Sequence, residues 1–364
     1  MITVTKPFMP SLRDFQEKLQ GIWDRGWLTN HGPLANELEL RLKEFLGLEH
    51  LLFVSNGTTA LQLAMRALGL SGEVITTPFS YVATTSSIIW EHLRPVMVDI
   101  CPDTLNIDPD KIEAAITERT SAILAVHVYG NACGIDRLEQ IAKRHGLRLI
   151  FDAAHAFGAR YKGKSLFAYG DISTASFHAT KLFQTVEGGA VIARESETNR
   201  QLALLRNFGH TSPVDFELAG INGKNSELHA AMGLCNLPHV NDIIERRRFL
   251  SERYTANLAE GDIVRQMITE GCDYNYAYYP VIFRSESVLL EVVEALDTHG
   301  IQPRRYFFPS LSTLPFLPER QDTPICDSIA RRVLCLPLFH TLSIEEVDMI
   351  SGLILRTLRY DRRS

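Results

Sequence analysis

No two cysteines in this 364-residue chain stand at C-x-x-C spacing. The six present (Cys101, Cys133, Cys235, Cys272, Cys326 and Cys335) are scattered, which excludes a zinc ribbon and a disulfide frame and reads as reduced, mostly buried thiols. An excess of positive charge is lacking too. The 37 basic residues against 43 acidic ones leave a formal charge of -6, which speaks against a nucleic-acid or anionic-membrane surface and for small-molecule partners. No apolar run nears the ~20 residues that span a bilayer. The opening residues, MITVTKPFMPSL, have neither the basic start nor the apolar stretch of a signal peptide, so the expected location is the cytoplasm. Neither G-x-G-x-x-G nor G-x-x-x-x-G-K-[ST] occurs, so no dinucleotide or ATP loop is indicated.

What the chain does contain is the composition of an ordinary globular protein, 45% apolar and 22% charged, long enough for a large domain and a smaller one. Residues 14–27 and 34–45 carry apolar side chains at helical spacing, around a turn-like LTNHGPL. From residue 50 the pattern alternates. Strands are expected at 50–56, 72–77, 95–100, 121–129, 147–154, 172–177 and 189–193, with helices at 57–68, 81–90, 109–116 and 135–145 between them. Short β-branched runs separated by helices mean an α/β fold: a mainly parallel mixed sheet flanked by helices, binding ligands at the carboxyl ends of its strands. The run 226–259 reads as one helix bent near Pro238. Beyond it, strands at 275–283 and 301–308 and helices at 286–299, 323–333 and 343–359 give a smaller α+β domain. The expected division is 1–240, an arm and large α/β unit, and 241–364, a linking helix and small unit.

Four stretches carry candidate chemistry. In Ser55-Asn56-Gly57-Thr58-Thr59 a polar turn follows a strand and opens a helix; it reads either as a phosphate cradle or as an ordinary N-cap. Tyr81 follows a strand end and is either a stacking platform for a flat cofactor or a core aromatic. Asp152 ends a strongly apolar strand, where a carboxylate is costly unless a cation meets it; a protonated pyridine nitrogen is one such cation, and a capping role at the junction is the plainer reading. Lys181, in SFHATKLFQTVEGGAV, is either a surface lysine or an amine whose lowered pKa fits it for Schiff-base chemistry. His155 and His178 lack a third ligand at convincing spacing, so no metal site is expected. A phosphate-cradling Gly-Thr, a stacking aromatic, a strand-end Asp and a Lys downstream are together the parts needed to hold pyridoxal 5'-phosphate.

The same residues carry a resemblance. GWLTNHGPLANELE, SNGTTAL, TPFSYVAT, FDAAHAFGA, SFHATKLFQTVEGGAV, GINGKNSELHAAMGL, GIQPRRYFFPSL and LCLPLF make the chain similar, over nearly its whole length, to the DegT/StrS-type nucleotide-sugar aminotransferases, which have the fold-type I architecture. The resemblance implies that Lys181 joins the cofactor covalently, Asp152 pairs with its pyridine nitrogen, Tyr81 stacks on its ring and His155 lies near its phenolic oxygen. It implies that Gly57, Thr58 and Ser176 hold the phosphate, and that Asn222 reaches that phosphate from the neighbouring subunit of a homodimer with shared active sites. Asn30, His210, Arg304 and Tyr306 fall in segments that the family places around the sugar or its diphosphate. For one of Arg304 and Arg305 a solvated surface role is an equal alternative.

The implied activity is transfer of an amino group from L-glutamate to a nucleotide-linked keto-deoxysugar, in deoxyamino-sugar and O-antigen or lipopolysaccharide biosynthesis. SFHATK with RRYFFPSL is most similar to members that aminate the 4-keto carbon of dTDP-4-keto-6-deoxyglucose, giving dTDP-4-amino-4,6-dideoxyglucose. Amination at C3, amination of a keto-cyclitol, and a non-catalytic regulator that binds the cofactor are the alternatives.

Overall fold

Alternation of side chains along the central strands explains the layering of the molecule, seen in a computed structural model that describes residues 1–317 and 319–361. The final residues of the expected unit 241–364 thus lie outside the described residues. Seven strands form the central sheet: β1 (Leu52–Val54), β2 (Glu73–Thr76), β3 (Arg94–Met97), β4 (Thr120–Val126), β5 (Arg148–Asp152), β6 (Ile172–Ser176) and β7 (Gly189–Ala193). Their order is β1-β7-β6-β5-β4-β2-β3. All pairings among β2 to β6 are parallel, and β7 is antiparallel to both β1 and β6, so the sheet is of the mainly parallel mixed kind.

Twelve helices accompany the strands among the described residues. They are α1 (Leu12–Arg25), α2 (Pro33–Leu46), α3 (Gly57–Ala67), α4 (Val82–Trp90), α5 (Pro109–Ala115), α6 (Ile135–His145), α7 (Ser196–Arg206), α8 (Glu227–Asn236), α9 (Val240–Asn257), α10 (Glu286–Asp297), α11 (Pro324–Arg332) and α12 (Ile344–Asp361). Because successive strand side chains point to opposite faces, Phe53, Leu149, Phe151, Ala190 and Ile192 pack with Leu38, Leu42, Leu138 and Leu234 on one side. Leu52, Val54, Ile150 and Val191 pack with Leu61, Ala64, Leu202 and Leu205 on the other. Helices on the sheet faces supply apolar stripes. In α6 the buried residues are Ile135, Leu138, Ile141 and Ala142, and the helix stops at Gly146, whose φ of 66° suits a residue without a Cβ.

The C-terminal part has a separate apolar cluster. Strands β8 (Ile263–Arg265), β9 (Tyr279–Phe283) and β10 (Val333–Leu336) form an antiparallel sheet in that order. Val281 and Phe283 pack there with Leu250 and Tyr254 of α9, Leu289 and Val292 of α10, and Ile350 and Ile354 of α12. A further cluster joins it to the central sheet through Phe79, Val126, Tyr129, Tyr278, Tyr306 and Phe307.

Three segments differ from the expectation. The run 226–259 is not one helix: α8 ends at Asn236, a 3-10 turn covers Leu237–His239, and α9 starts at Val240, the break falling where Pro238 removes a backbone donor. In 301–308 only Ile301–Gln302 is strand, paired in parallel with Ile2–Thr3. Pro303 has no N–H to give, and Phe307 takes φ of 66°. In 275–283 the strand begins at Tyr279: the Asn275 side-chain amide is anchored to the carbonyls of His155 (2.8 Å) and Phe157 (3.0 Å), its oxygen takes the Ala277 N–H at 3.1 Å, and Tyr276 is held at φ of 52°. All six cysteines are free. Among the described residues no helix is long and apolar enough to cross a membrane.

Candidate active site

A cavity of about 240 Å³ opens where β5 and β6 end and α3 begins. Asp152 is the last residue of β5, Ser176 the last of β6 and Gly57 the first of α3, so the parallel run of the strands delivers all three to one place. Gly57, Thr58, Tyr81, Asp152, His155, Ser176, Lys181, Arg304 and Tyr306 all line the cavity. Asn30, His210 and Asn222 do not line it. Asn30 and Asn222 are exposed, and the His210 ring packs at 4.3 Å on Phe216 with its Nδ1 3.0 Å from the Ser212 carbonyl.

The turn that starts α3 is a compact cradle. Asn56 caps the helix, its Oδ1 accepting from the Thr59 N–H at 2.8 Å, which leaves the N–H groups of Gly57 and Thr58 without a helical partner of their own. A side chain at Gly57 would bring its Cβ to 3.0 Å from the Ser176 Cβ, so glycine keeps the helix end close to the end of β6. Helix ends with free N–H groups favour anions, and here two hydroxyls, those of Thr58 and Ser176, stand beside one.

Asp152 is buried, and burial pushes its carboxyl above the ordinary value. The Thr84 hydroxyl donates to Oδ2 at 2.8 Å, the Ala154 N–H donates to Oδ1 at 3.1 Å, and Lys181 adds an attractive charge, all of which oppose the rise. Thr84 is itself tied to Ser80, with oxygens 2.7 Å apart. Lys181 keeps partial exposure to the cavity but is crowded by protein. Desolvation lowers its pKa to about 8, with Asp152 opposing and Arg304 adding to the fall. His155 is held neutral by burial, with the charge of Lys181 contributing, and its Nδ1 is buried without a hydrogen-bond partner. Its ring stacks on Phe307 at 5.6 Å and 5°. Tyr81 stands as the N-cap residue of α4 and remains 56% exposed, an aromatic ring offered to the cavity rather than to the core.

The two arginines separate. Arg305 is occupied by Glu286 (2.6 Å) and the Phe308 ring (3.6 Å), whereas the Arg304 guanidinium lies 4.6 Å over the Tyr306 ring on the cavity wall. Reasoning from sequence missed Thr84, Phe307 and Glu187, and weighed His178 only as a metal ligand; all four also shape the site. Thr84 had a signal: it sits three residues after Tyr81 and so shares the face of the first turn of α4.

These residues fit pyridoxal 5'-phosphate on the chemistry of the donor set. The cradle suits the phosphate, the buried carboxyl of Asp152 a cationic ring nitrogen, the orphaned Nδ1 of His155 a polar ring substituent, and the depressed amine of Lys181 a carbonyl carbon.

Comparison with known proteins agrees with the geometry. The profile of the DegT/DnrJ/EryC1/StrS aminotransferase family matches residues 12–354. The chain is 40% identical over 366 residues to the dTDP-4-amino-4,6-dideoxy-D-glucose transaminase of Escherichia coli, covering 97% of this chain and 98% of that one. Its structure superposes on DesI, solved in the presence of its TDP-sugar product, with a TM-score of 0.93 at 34% identity, covering 100% of this chain and 95% of DesI. It also matches the PLP form of the putative sugar aminotransferase Spr1654 from Streptococcus pneumoniae, with a TM-score of 0.91 at 27% identity and 99% coverage of each chain.

Proposed function

The chain belongs to the DegT/DnrJ/EryC1/StrS aminotransferase family, and from that premise we propose that it moves an amino group from L-glutamate to the 4-keto carbon of dTDP-4-keto-6-deoxyglucose, giving dTDP-4-amino-4,6-dideoxyglucose. The observation that carries the reading is the pairing, across one cavity, of a lysine lowered to about pKa 8 with a buried carboxylate. The choice of sugar is supported by the 40% identity to the Escherichia coli transaminase.

When bound, pyridoxal 5'-phosphate supplies an electron-withdrawing ring that takes up the charge left as a proton departs from the nitrogen-bearing carbon. The protein does the rest. Lys181 is the general base and acid: a pKa near 8 leaves a usable fraction of neutral amine close to neutral pH, able to take the proton from the α-carbon of glutamate and return it one position away. Asp152 would pair with the protonated ring nitrogen, and the hydrogen bonds from Thr84 and Ala154 favour its charged form against the pull of burial. Of the cavity-lining residues, Gly57, Thr58 and Ser176 would hold the phosphate, Tyr81 would offer its ring for stacking and His155 would offer a polar contact to the cofactor ring. Arg304 and Tyr306 address the anionic part of the substrate. Both substrates use one cavity, so the kinetics are ping-pong.

A second copy of the chain completes this site in our reading. Asn222 is exposed and lies outside its own cavity, and the segments that carry Asn30, His210 and Asn222 also expose Trp27 (48%), Leu28 (52%), Phe208 (47%), Phe216 (62%) and Ile221 (45%). An apolar surface of this kind suits a subunit interface that hands Asn222 to the partner's phosphate. Mixing Lys181→Ala with Asn222→Ala chains tests it: heterodimers recover one intact site in a shared arrangement and none in a separate one. We read the chain as two units, 1–240 and 241–364, on the strength of the separate C-terminal apolar cluster, and place it in the cytoplasm, where free thiols persist.

The activity test is direct. Purified protein is incubated with dTDP-4-keto-6-deoxyglucose and isotopically labelled glutamate, and NMR locates the nitrogen. Label at C4 is expected; transfer only when the 3-keto isomer is supplied in its place moves the proposal to the other regiochemistry, and no transfer to either sugar ends it.

A further inference from the structure

Glu187 and His178 share the cavity wall that carries Lys181, and nothing in the chemistry above uses them. Their positions are fixed by the loop that follows β6. Phe177 N–H donates to the Gly188 carbonyl at 2.8 Å, Ala179 N–H to Val186 at 2.9 Å, and Thr185 N–H to Phe177 at 2.9 Å. The Glu187 carbonyl accepts from the Thr185 hydroxyl at 2.9 Å and from the Asn225 amide at 3.1 Å. Val186, a β-branched residue, is held at φ of 67°, a left-handed conformation that persists only where surrounding contacts determine it. The loop therefore presents Glu187 and His178 in a set arrangement, with Oε1 and Nε2 3.6 Å apart.

The tautomer of His178 follows from its other nitrogen. Nδ1 accepts the Thr180 N–H at 3.2 Å and stands 2.8 Å from the Thr180 hydroxyl, so the neutral ring carries its proton on Nε2, facing Glu187. Donor and acceptor then stand side by side, at a separation too long to satisfy each other fully. Among the described residues, the only ion-pair partner within reach of the Glu187 carboxylate is this histidine, and the other titratable group near it is His229, whose Nδ1 is 2.7 Å from the Ser226 hydroxyl. A carboxylate on the wall repels the carboxylates of glutamate and the diphosphate of a nucleotide alike. What it accepts is a neutral hydroxyl.

We propose that the Glu187–His178 pair binds the ring hydroxyls of the sugar and so distinguishes the sugar from the amino donor that takes turns with it in the same cavity. The inference rests on the sugar-aminotransferase reading. A sugar hydroxyl donates to Glu187 and accepts from Nε2 of His178, while Arg304 on the opposite charge pole is left to the anions.

The test separates the two half-reactions in the cofactor-loaded enzyme by following cofactor absorbance, first with glutamate alone and then with the keto-sugar alone. Affinity for dTDP-4-amino-4,6-dideoxyglucose is measured by calorimetry. For Glu187→Gln the sugar half-reaction falls about 10- to 100-fold in kcat/KM, the loss of a hydrogen bond to a charged acceptor, and the affinity falls in parallel. The glutamate half-reaction is unchanged. His178→Phe moves in the same direction and carries the comparison alone if Glu187→Gln does not retain cofactor. Equal losses in both half-reactions mean that the pair only braces the lysine loop, and no loss in either means that it touches no substrate; each result overturns the inference. A wild-type enzyme that takes nitrogen from glutamate and passes it to no keto-sugar overturns the functional reading itself, and this one with it.

Discussion

Replacing Thr84 by valine tests how the site keeps a buried carboxylate charged. The substitution preserves shape and removes one hydroxyl, whose 2.8 Å hydrogen bond to Asp152 is the largest influence opposing the effect of burial on that group. A hydrogen bond to a charged acceptor contributes about 1.5–3 kcal/mol. Its loss therefore lets burial raise the Asp152 carboxyl further above the ordinary carboxylate value. Valine also takes the 2.7 Å partner from the Ser80 hydroxyl, a group that carries no charge, so the change in charge stabilisation falls on the carboxylate. The assay is the pH profile of kcat/KM for glutamate. The acidic limb, where Asp152 loses its charge, moves toward neutrality in Thr84→Val while the alkaline limb stays in place, and Thr84→Ser restores the original position. An acidic limb that does not move would falsify the assignment of Thr84 as the group positioning Asp152.

Lys181→Met abolishes turnover and leaves the far-ultraviolet spectrum unchanged, because the lysine is a functional group at the cavity and not part of the apolar core. The same variant tests the pKa. In the cofactor-free protein, a folded value near 8 against 10.5 unfolded means that the lysine's own contribution to stability rises with pH from 8 to 10.5; the buried cysteines act in the opposite sense in both proteins, so the melting temperature of the wild type rises relative to that of Lys181→Met over that interval. Gly57→Ala forces a Cβ to 3.0 Å from that of Ser176, so the cradle opens and cofactor affinity falls, about tenfold for each 1.4 kcal/mol of strain, with little change in the far-ultraviolet spectrum; equilibrium dialysis measures it. Asn222→Ala loosens cofactor retention in a chain that still sediments as a dimer, whereas a protein that is active as a monomer removes the shared site.

Much of the fold was legible because strands buried on both faces are nearly continuous apolar runs, as in Thr120–Val126, and because helices such as α6 carry an amphipathic stripe and a glycine stop. The errors fall where side chains, not periodicity, decide the backbone. Tyr-rich 275–278 has strand composition, yet the Asn275 amide is committed to the 155–157 turn and Tyr276 takes φ of 52°. Pro303 and Phe307 similarly end the strand expected at 301–308. At the site, Asp152, Tyr81 and Gly57 stand at a strand end or helix start, and Lys181 in the loop that follows β6, positions that chain order can suggest. Thr84's bond to Asp152 was not legible, since it depends on how α4 lies against β5. Nor was the difference between the arginines visible, since the pairing of Arg305 with Glu286 and the place of Arg304 on the cavity wall depend on the tertiary fold.

The claim on which the account turns is that one amine, that of Lys181, is the covalent anchor of the cofactor. Reduction of the loaded enzyme with borohydride, followed by peptide mass mapping, tests it. We expect the pyridoxyl mass on the peptide containing Lys181 and on no other; a label on a different lysine, or none, contradicts the account.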